Sequence, residues 1–400
     1  MPAPPVIVAL ELGTSRVLAL VGEIREDGHV MIIGIGEQPS QGISKGQVVD
    51  IEAASEAVRA ALSAAEEAAE VTIRHVILAI SGGHVRSQVN RGVVPVLDRG
   101  EISRVDMDKA MNVAKAVNMP TDREVLHTIC QHYCIDDHQR VISPEGMEGA
   151  KLELDMLVVH GLRAPMRNTI KAVEDIMIEV RDVVYAGLGS ALSVLSPEQK
   201  KGGVLVIDLG AGTTEYVAYA GGVIAATGAI GVGGDHVTND IALAFGIPER
   251  QAERCKREHG GAMVTDDSLD GNVPIAPGVG FGGRSIAQHS LLTVIHARMD
   301  ETLRMIRRRL KEDGVPSHLA AGVVLVGGGA HMAQITELAS EVFGMPCEVG
   351  KPRDVSGLAT ATEGPEYATC SGLIQYASKQ WQNQRRSKPL GGLFRGFLKR

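Results

Sequence analysis

"VIVALELGTSRVLALVGEI" at residues 6–24 and "VLVIDLGAGTTEYVAYAGG" at residues 204–222 read alike. Each runs strand, acidic residue, glycine turn with Ser or Thr, strand. Val, Ile and Leu flank both turns, as strand propensity asks. The first turn carries Gly13; the second carries Gly210 and Gly212. Glycine permits positive φ and close backbone approach, so the amides of such a turn can point at an anion. Thr14, Ser15, Thr213 and Thr214 add hydroxyl donors. Glu11 and Asp208 precede the turns, placed to hold a hard cation such as Mg²⁺ directly or through water. One such hairpin is an ordinary glycine turn. Two of them, each opening one half of the chain, predict two similar domains clasping one polyphosphate.

A third stretch fits the same site. "AAGVVLVGGGAHMAQITELASEVFG" (320–344) reads as a buried strand, then Gly327-Gly328-Gly329, then an amphipathic helix. The glycines let a ligand ring or phosphate lie against backbone, and the helix N-terminus would add partial positive charge. The plain alternative is a strand-to-helix turn of any α/β domain. No Walker lysine loop occurs, and neither hairpin turn leads into a helix as a dinucleotide fingerprint requires.

The order of elements resembles that of the actin-like ATPase superfamily: first phosphate hairpin, connecting helix "YAGLGSALSVL" (185–195), second hairpin, "GVGGDHVTNDIA" (231–242), "QAERCKREHG" (251–260), then "LVGGGAHM" (325–332). More narrowly, the chain resembles the bacterial FtsA cell division family. The likeness runs through "GEQPSQGISKGQVVDIEAASEAVRAALSAAEEAAE" (36–70), "ILAISGGHVRSQVNRGVVPV" (77–96), "KAVEDIMIEVRDVVYAGLGSALSVL" (171–195) and "IALAFGIPERQAERCKREHGGA" (241–262). It spans about residues 6–378 and resumes at the tail.

The resemblance implies an α/β, actin-like (ribonuclease H-like) two-domain fold with inserted α+β subdomains and a C-terminal amphipathic helix. The first domain would comprise 1–82 and 163–196, the second 197–235 and 319–378. An inserted α+β subdomain, 83–162, would serve self-association and later division proteins. A second insertion, 236–318, would bind the tail of the tubulin-like division protein FtsZ, with Arg298 on its long basic helix as a contact. Residues 379–389 read as a polar linker. The cofactors implied are ATP and Mg²⁺, and the place is the cytoplasmic face of the inner membrane at the division site. Two rivals share the superfamily: a sugar-type kinase, which needs a carboxylate base beside a substrate cleft, and a pilus-assembly adaptor. The terminal helix argues against both.

Bulk properties agree. Four hundred residues suffice for two or three domains, and 44% hydrophobic with 22% charged residues is ordinary for a globular chain. The net charge of −8 is uneven: residues 367–400 hold seven bases and no acid, leaving −15 on the rest. An acidic body argues against a nucleic-acid partner. Five cysteines, odd in number and without C-x-x-C spacing, fit a reducing compartment. The sequence predicts neither a signal peptide nor a bilayer-spanning run.

Individual residues carry paired readings. Asp235 after Gly233-Gly234 either caps a helix or joins those amides near terminal phosphates or metal. Glu253 and Lys256, three apart on a predicted helix, either pair with each other or hold the ribose and base, as the resemblance implies. Glu11 stands where the family carries Asp, so it reaches one methylene farther and either holds the metal through water or displaces it. Arg16 stands where Lys is frequent, offering a fork in place of a point charge. Glu215 is the candidate to orient an attacking water, against an outward strand position. The connecting helix lacks a carboxylate or Gln, so at most slow ATP turnover is expected. Cys130, His132 and Cys134 alternate on one strand face, which raises a metal site against an ordinary sheet.

The tail is the second strong signal. In "PLGGLFRGFLKR" (389–400), Leu390, Leu393, Phe394, Phe397 and Leu398 form one helical stripe beside Arg395, Lys399 and Arg400. Gly391, Gly392 and Gly396 each cost a helix about 1 kcal/mol relative to Ala. So short a helix orders only on a surface that buries its stripe, and anionic lipid suits both faces.

Overall fold

The computed structural model describes residues 5–25, 28–97, 100–137, 139–264, 271–275, 277, 282–358 and 363–386. Strands β1 (Val6–Leu12), β2 (Arg16–Ile24) and β3 (Val30–Pro39) form an antiparallel meander. Helix α1 (Ile51–Ala69) leads to β4 (His75–Ile80), parallel to β1. Then come β5 (Arg86–Pro95), α2 (Arg104–Lys115), β6 (Arg123–Ile135), β7 (Gln139–Val141) and β8 (Lys151–Leu162). They build a separate antiparallel sheet in the order β5-β8-β6-β7. Helix α3 (Arg163–Glu174) returns the chain to β9 (Glu179–Tyr185), parallel to β4, and to helix α4 (Ala186–Val194).

After the short helix α5 (Pro197–Gly202) the plan repeats. Strands β10 (Val204–Leu209), β11 (Thr214–Ala220) and β12 (Val223–Ile230) form a second meander. Helices α6 (Gly234–Phe245) and α7 (Glu249–His259), the hairpin β13 (Asn272–Ile275) with β14 (Arg284–Ala287), and the long α8 (Gln288–Glu312) intervene. Strand β15 (Val323–Val326) then pairs parallel to β10. Helix α9 (Ile335–Phe343), strands β16 (Cys347–Val349) and β17 (Val355–Gly357), and helix α10 (Ala368–Arg386) complete the described chain. The first sheet orders as β9-β4-β1-β2-β3-β17, the second as β12-β11-β10-β15-β16. Each is an antiparallel meander extended by parallel strands on the side of its first strand, which requires helical crossovers, and β17 adds a parallel strand at the opposite edge of the first sheet, beside β3.

Small residues decide the closest contacts. A Cβ on Gly36 of β3 would stand 1.8 Å from the Ala61 carbonyl oxygen, so α1 lies flat on that strand through Ala54, Ala57, Ala61 and Ala65. Asp50 caps α1, accepting from Ala53 N at 3.2 Å. The inserted sheet has its own core, with Ala110 and Ala114 of α2 against Tyr133, Leu152, Leu154 and Met156.

Two sequence expectations need revision. Helix α10 continues through 379–386, most of the stretch read as a linker, because it packs between the first sheet and α4 before it ends. The three glycines do not open the α-helix. Gly328–His331 make a 3₁₀ turn, and α9 begins only at Ile335, so its dipole is displaced from the glycines. The apolar stripe 390–400 lies outside the described residues.

Candidate functional site

The two hairpin turns meet face to face. Gly13 N donates to Arg16 O and Gly210 N to Thr213 O, each at 3.0 Å, so the turns close identically. A Cβ on Gly212 would lie 2.4 Å from Thr14 Oγ1 and 2.8 Å from Lys45 Cα, so the second turn rests on the first through glycine. Thr14 Oγ1 accepts from Gly46 N at 2.9 Å, Thr214 Oγ1 donates to Val232 O at 2.8 Å, and Ser15 is exposed.

Beneath the turns lie three carboxyl groups. Asp208 and Glu215 are direct cross-strand partners on β10 and β11, both buried. Like charges placed so repel. Burial raises the Asp208 carboxyl above its ordinary range. Burial and then the Asp208 charge push Glu215 up to about 8. The same two causes push Glu11, on β1, up to about 7, against the opposing pull of Arg16. Gly82 N donates weakly to Glu215 Oε1 at 3.5 Å. Arg16 offsets this trio only in part, and three carboxyl groups so placed favour a cation beside them. Among the described residues no three His, Cys, Asp or Glu side chains converge tightly enough to ligate a metal alone, Cys130, His132 and Cys134 included. Glu11 and Asp208 still offer hard oxygen donors that suit Mg²⁺ when phosphate oxygens and water complete its shell.

The surrounding wall is glycine. A Cβ on Gly327 would lie 2.3 Å from Asp208 Oδ1, and one on Gly329 2.7 Å from Leu209 Cβ, whereas a Cβ on Gly328 meets nothing within 4 Å. Gly327 and Gly329 therefore seat the turn on β10, and Gly328 faces open space. Gly233 presses on the second hairpin, its Cβ position 2.5 Å from Ala211 O. Gly234 N and Asp235 N donate to Gly210 O and Ala211 O at 3.0 and 2.8 Å. Those two amides, expected near phosphate, are thus used in joining α6 to the hairpin. Asp235 makes no capping bond; Gly233 is the N-cap residue.

Glu253 and Lys256 do pair, at 2.5 Å. Lys256 Nζ also donates to Gly234 O at 3.0 Å and Thr238 Oγ1 at 2.8 Å, which places both residues where α6 and α7 meet beside the cleft. Arg16 turns aside: it ion-pairs with Glu37, donates to Glu366 O at 3.0 Å and stacks on Tyr367 at 4.8 Å. Arg298 on α8 grips Asp240 through both Nε and Nη2, at 2.6 and 3.0 Å, and pairs with Glu301. Sequence reasoning passed over Lys45, at the junction of the two turns, and over Ser190 and Thr369, which reach Asp208 from α4 and α10. None of the three sits in a phosphate-type motif.

The raised Glu215 carboxyl has a thermodynamic consequence. Its folded pKa lies near 8 and its ordinary value at 4.5. Across that window the native state holds a proton that the unfolded chain releases, so this group's contribution to stability falls as pH rises. Glutamine has no proton to lose. Without nucleotide, Glu215→Gln is expected to unfold at a higher temperature than wild type, by a margin that grows from about pH 5.5 to about pH 8.5. A margin constant with pH in thermal melts would refute the shift.

Two facing glycine hairpins over buried carboxylates, in two sheets of one plan, define an actin-like protein. Fold comparison agrees. The chain superposes on the PilM–PilN type IV pilus biogenesis complex with TM-score 0.65 at 17% identity, covering 93% of this chain and 98% of that one. It superposes on MreB5 of Spiroplasma citri bound to ADP with TM-score 0.55 at 15% identity, covering 96% and 99%. In sequence the chain is 37% identical to the cell division protein FtsA of Pseudomonas aeruginosa over 371 residues, 92% of this chain and 88% of that protein. It is 36% identical to FtsA of Escherichia coli K12 over 384 residues, 94% and 91%. The family model for cell division protein FtsA matches residues 205–372, and that for the SHS2 domain inserted in FtsA matches 82–160. The chain belongs to the FtsA family of bacterial cell division proteins. That membership sets the kinase and pilus-adaptor readings aside.

Proposed function

We propose that the protein binds ATP with Mg²⁺ between its two hairpins, self-associates, and tethers FtsZ filaments to the cytoplasmic membrane, where it recruits later division proteins. The observation that carries the nucleotide part is the trio Glu11, Asp208 and Glu215 beneath paired glycine turns. Glu11 and Asp208 would hold the metal, which offsets phosphate charge when bound. Gly13, Thr14, Ser15, Gly210, Gly212, Thr213 and Thr214 would line the phosphates, with Gly233, Gly234 and Asp235 behind them. Glu253 and Lys256 would border the ribose and base, and Gly327, Gly328 and Gly329 would form the surface opposite.

Tethering rests on family membership and on the apolar stripe at 390–400. Among the described residues no helix is long and apolar enough to cross a membrane. Arg298, 27% exposed, is the residue proposed to meet the FtsZ tail, already oriented by Asp240. Co-sedimentation with FtsZ polymers, and separately with anionic liposomes, tests the reading. Pelleting with both is expected. Failure with FtsZ removes the tethering role, and failure with liposomes removes the membrane role.

Turnover is a separate question. Glu215, buried and hydrogen-bonded by Gly82, is the proposed residue that orients water. Glu215→Gln keeps an acceptor oxygen and removes the titratable carboxyl group. It is expected to lower the ATPase rate and leave ATP affinity nearly intact. A wild-type rate would return Glu215 to a purely structural role in the hairpin.

A further inference from the structure

Asp208 is gripped from behind by two helices. Ser190 Oγ on α4 donates to Asp208 Oδ2 at 2.6 Å, Thr369 Oγ1 on α10 lies 3.1 Å from the same oxygen, and the two hydroxyls are 2.9 Å apart. Each hydroxyl has a single proton. Ser190 donates to Asp208 at 2.6 Å in preference to the Ala186 carbonyl oxygen at 3.3 Å, and Thr369 donates either to Asp208 or to Ser190; in both arrangements the protons run toward the carboxylate. Ser190 is fully buried and Thr369 3% exposed, so water does not substitute for them.

The helix crossing fixes these hydroxyls in place. A Cβ on Gly372 would sit 1.8 Å from Gly189 O, and one on Gly189 would sit 2.9 Å from Thr369 O. Backbone thus meets backbone beside Ser190 and Thr369, which fixes the two backbones that carry these hydroxyls. The other carboxylate oxygen, Oδ1, borders Gly327, where the wall lacks a side chain.

We propose that Ser190 and Thr369 are positioning residues for Asp208, fixing its carboxylate so that Oδ1 is presented toward the Mg²⁺ that accompanies ATP. This rests on the nucleotide reading above. The geometry places two hydroxyls beside one oxygen of a buried carboxylate, and a charged acceptor strengthens each bond that reaches it. A side chain held in this way keeps one orientation before ligand arrives, which lowers the ordering cost of binding.

The test is ATP affinity by fluorescence titration, in Mg²⁺ and again in excess EDTA, for wild type, Ser190→Ala, Thr369→Val, their double variant and Thr369→Ser. In Mg²⁺ the double variant is expected to bind about tenfold or more weakly, the scale of lost hydrogen bonds to a charged group. Ser190→Ala should lose less, since Thr369 can then donate directly. In EDTA the variants should match wild type, and Thr369→Ser should match it in both. Unchanged affinity of the double variant in Mg²⁺ overturns the proposal. So does an equal loss with and without Mg²⁺, which marks a packing defect, or a Thr369→Ser as weak as Thr369→Val. Should the double variant fail to fold, the two single variants and Thr369→Ser decide by the same criteria. A wild type that binds no ATP in either condition overturns the nucleotide reading and this inference with it, a result distinct from wild-type binding with silent variants.

Discussion

Gly328→Val is expected to lower ATP affinity at least about tenfold, or about 1.4 kcal/mol, without destabilising the nucleotide-free protein. The expectation follows from the differing surroundings of three consecutive glycines. At Gly327 a Cβ would strike Asp208 Oδ1, and φ is +81°, so a side chain there disturbs the fold itself. At Gly329 it would strike Leu209. At Gly328 it meets nothing within 4 Å, so a valine fits without displacing protein atoms and intrudes only on a ligand bound against that turn. Asp208→Ala should weaken Mg²⁺-dependent ATP binding by a similar factor through a different cause. It removes one of three neighbouring carboxyl groups and leaves Ser190 and Thr369 bonded to each other, so the fold should tolerate it. Fluorescence titration with ATP and Mg²⁺, beside thermal melts without nucleotide, separates binding from stability. Unchanged affinity in both variants would rule out a ligand shared by the hairpins and the glycine turn.

The parts of this site that were legible in the sequence are those that repeat. Glu11-x-Gly13 and Asp208-x-Gly210 sit on strand pairs that local propensity specifies, and closure of each turn is a property of four residues. What stayed hidden depends on contacts far apart in the chain. Gly234 and Asp235 give their amides to Gly210 and Ala211, a choice set by how α6 docks on the hairpin. Arg16 has Glu37 and Tyr367 within reach, so its direction is decided by strand pairing and by the turn that holds Glu366 and Tyr367 just before α10, far along the chain. Ser190 and Thr369 look like ordinary small polar positions in apolar helices, and only the glycine crossing brings them to Asp208. The helical extension of α10 past residue 378 is hidden because "KQWQNQRR" has no apolar period of its own; it continues a helix anchored earlier by Cys370, Leu373 and Ile374.

Replacing both Phe394 and Phe397 by Glu is expected to abolish binding to anionic liposomes and to leave a soluble protein that still binds ATP. Both residues lie outside the described structure, and the expectation rests on sequence. They fall three apart on the apolar stripe that also holds Leu390, Leu393 and Leu398, and they are two of only five Phe in the chain. Burying a large apolar side chain contributes roughly 1.5–3 kcal/mol when complete, and less at a membrane interface. The double replacement removes that term twice and sets two acids against anionic headgroups, where Lys388, Arg395, Lys399 and Arg400 otherwise gain about 1 kcal/mol each near the surface. A twelve-residue helix carrying three glycines has no reserve to absorb such a loss. ATP binding should survive because the site is assembled from residues before Arg386, and Thr369 reaches Asp208 from the start of α10. Raising salt should weaken wild-type binding only in part, since screening removes the basic contribution and leaves the apolar one. A double variant that still floats with liposomes would show that the tail is not the anchor. One that unfolds or loses ATP would show instead that the stripe docks on the body, and the membrane reading would fail with it.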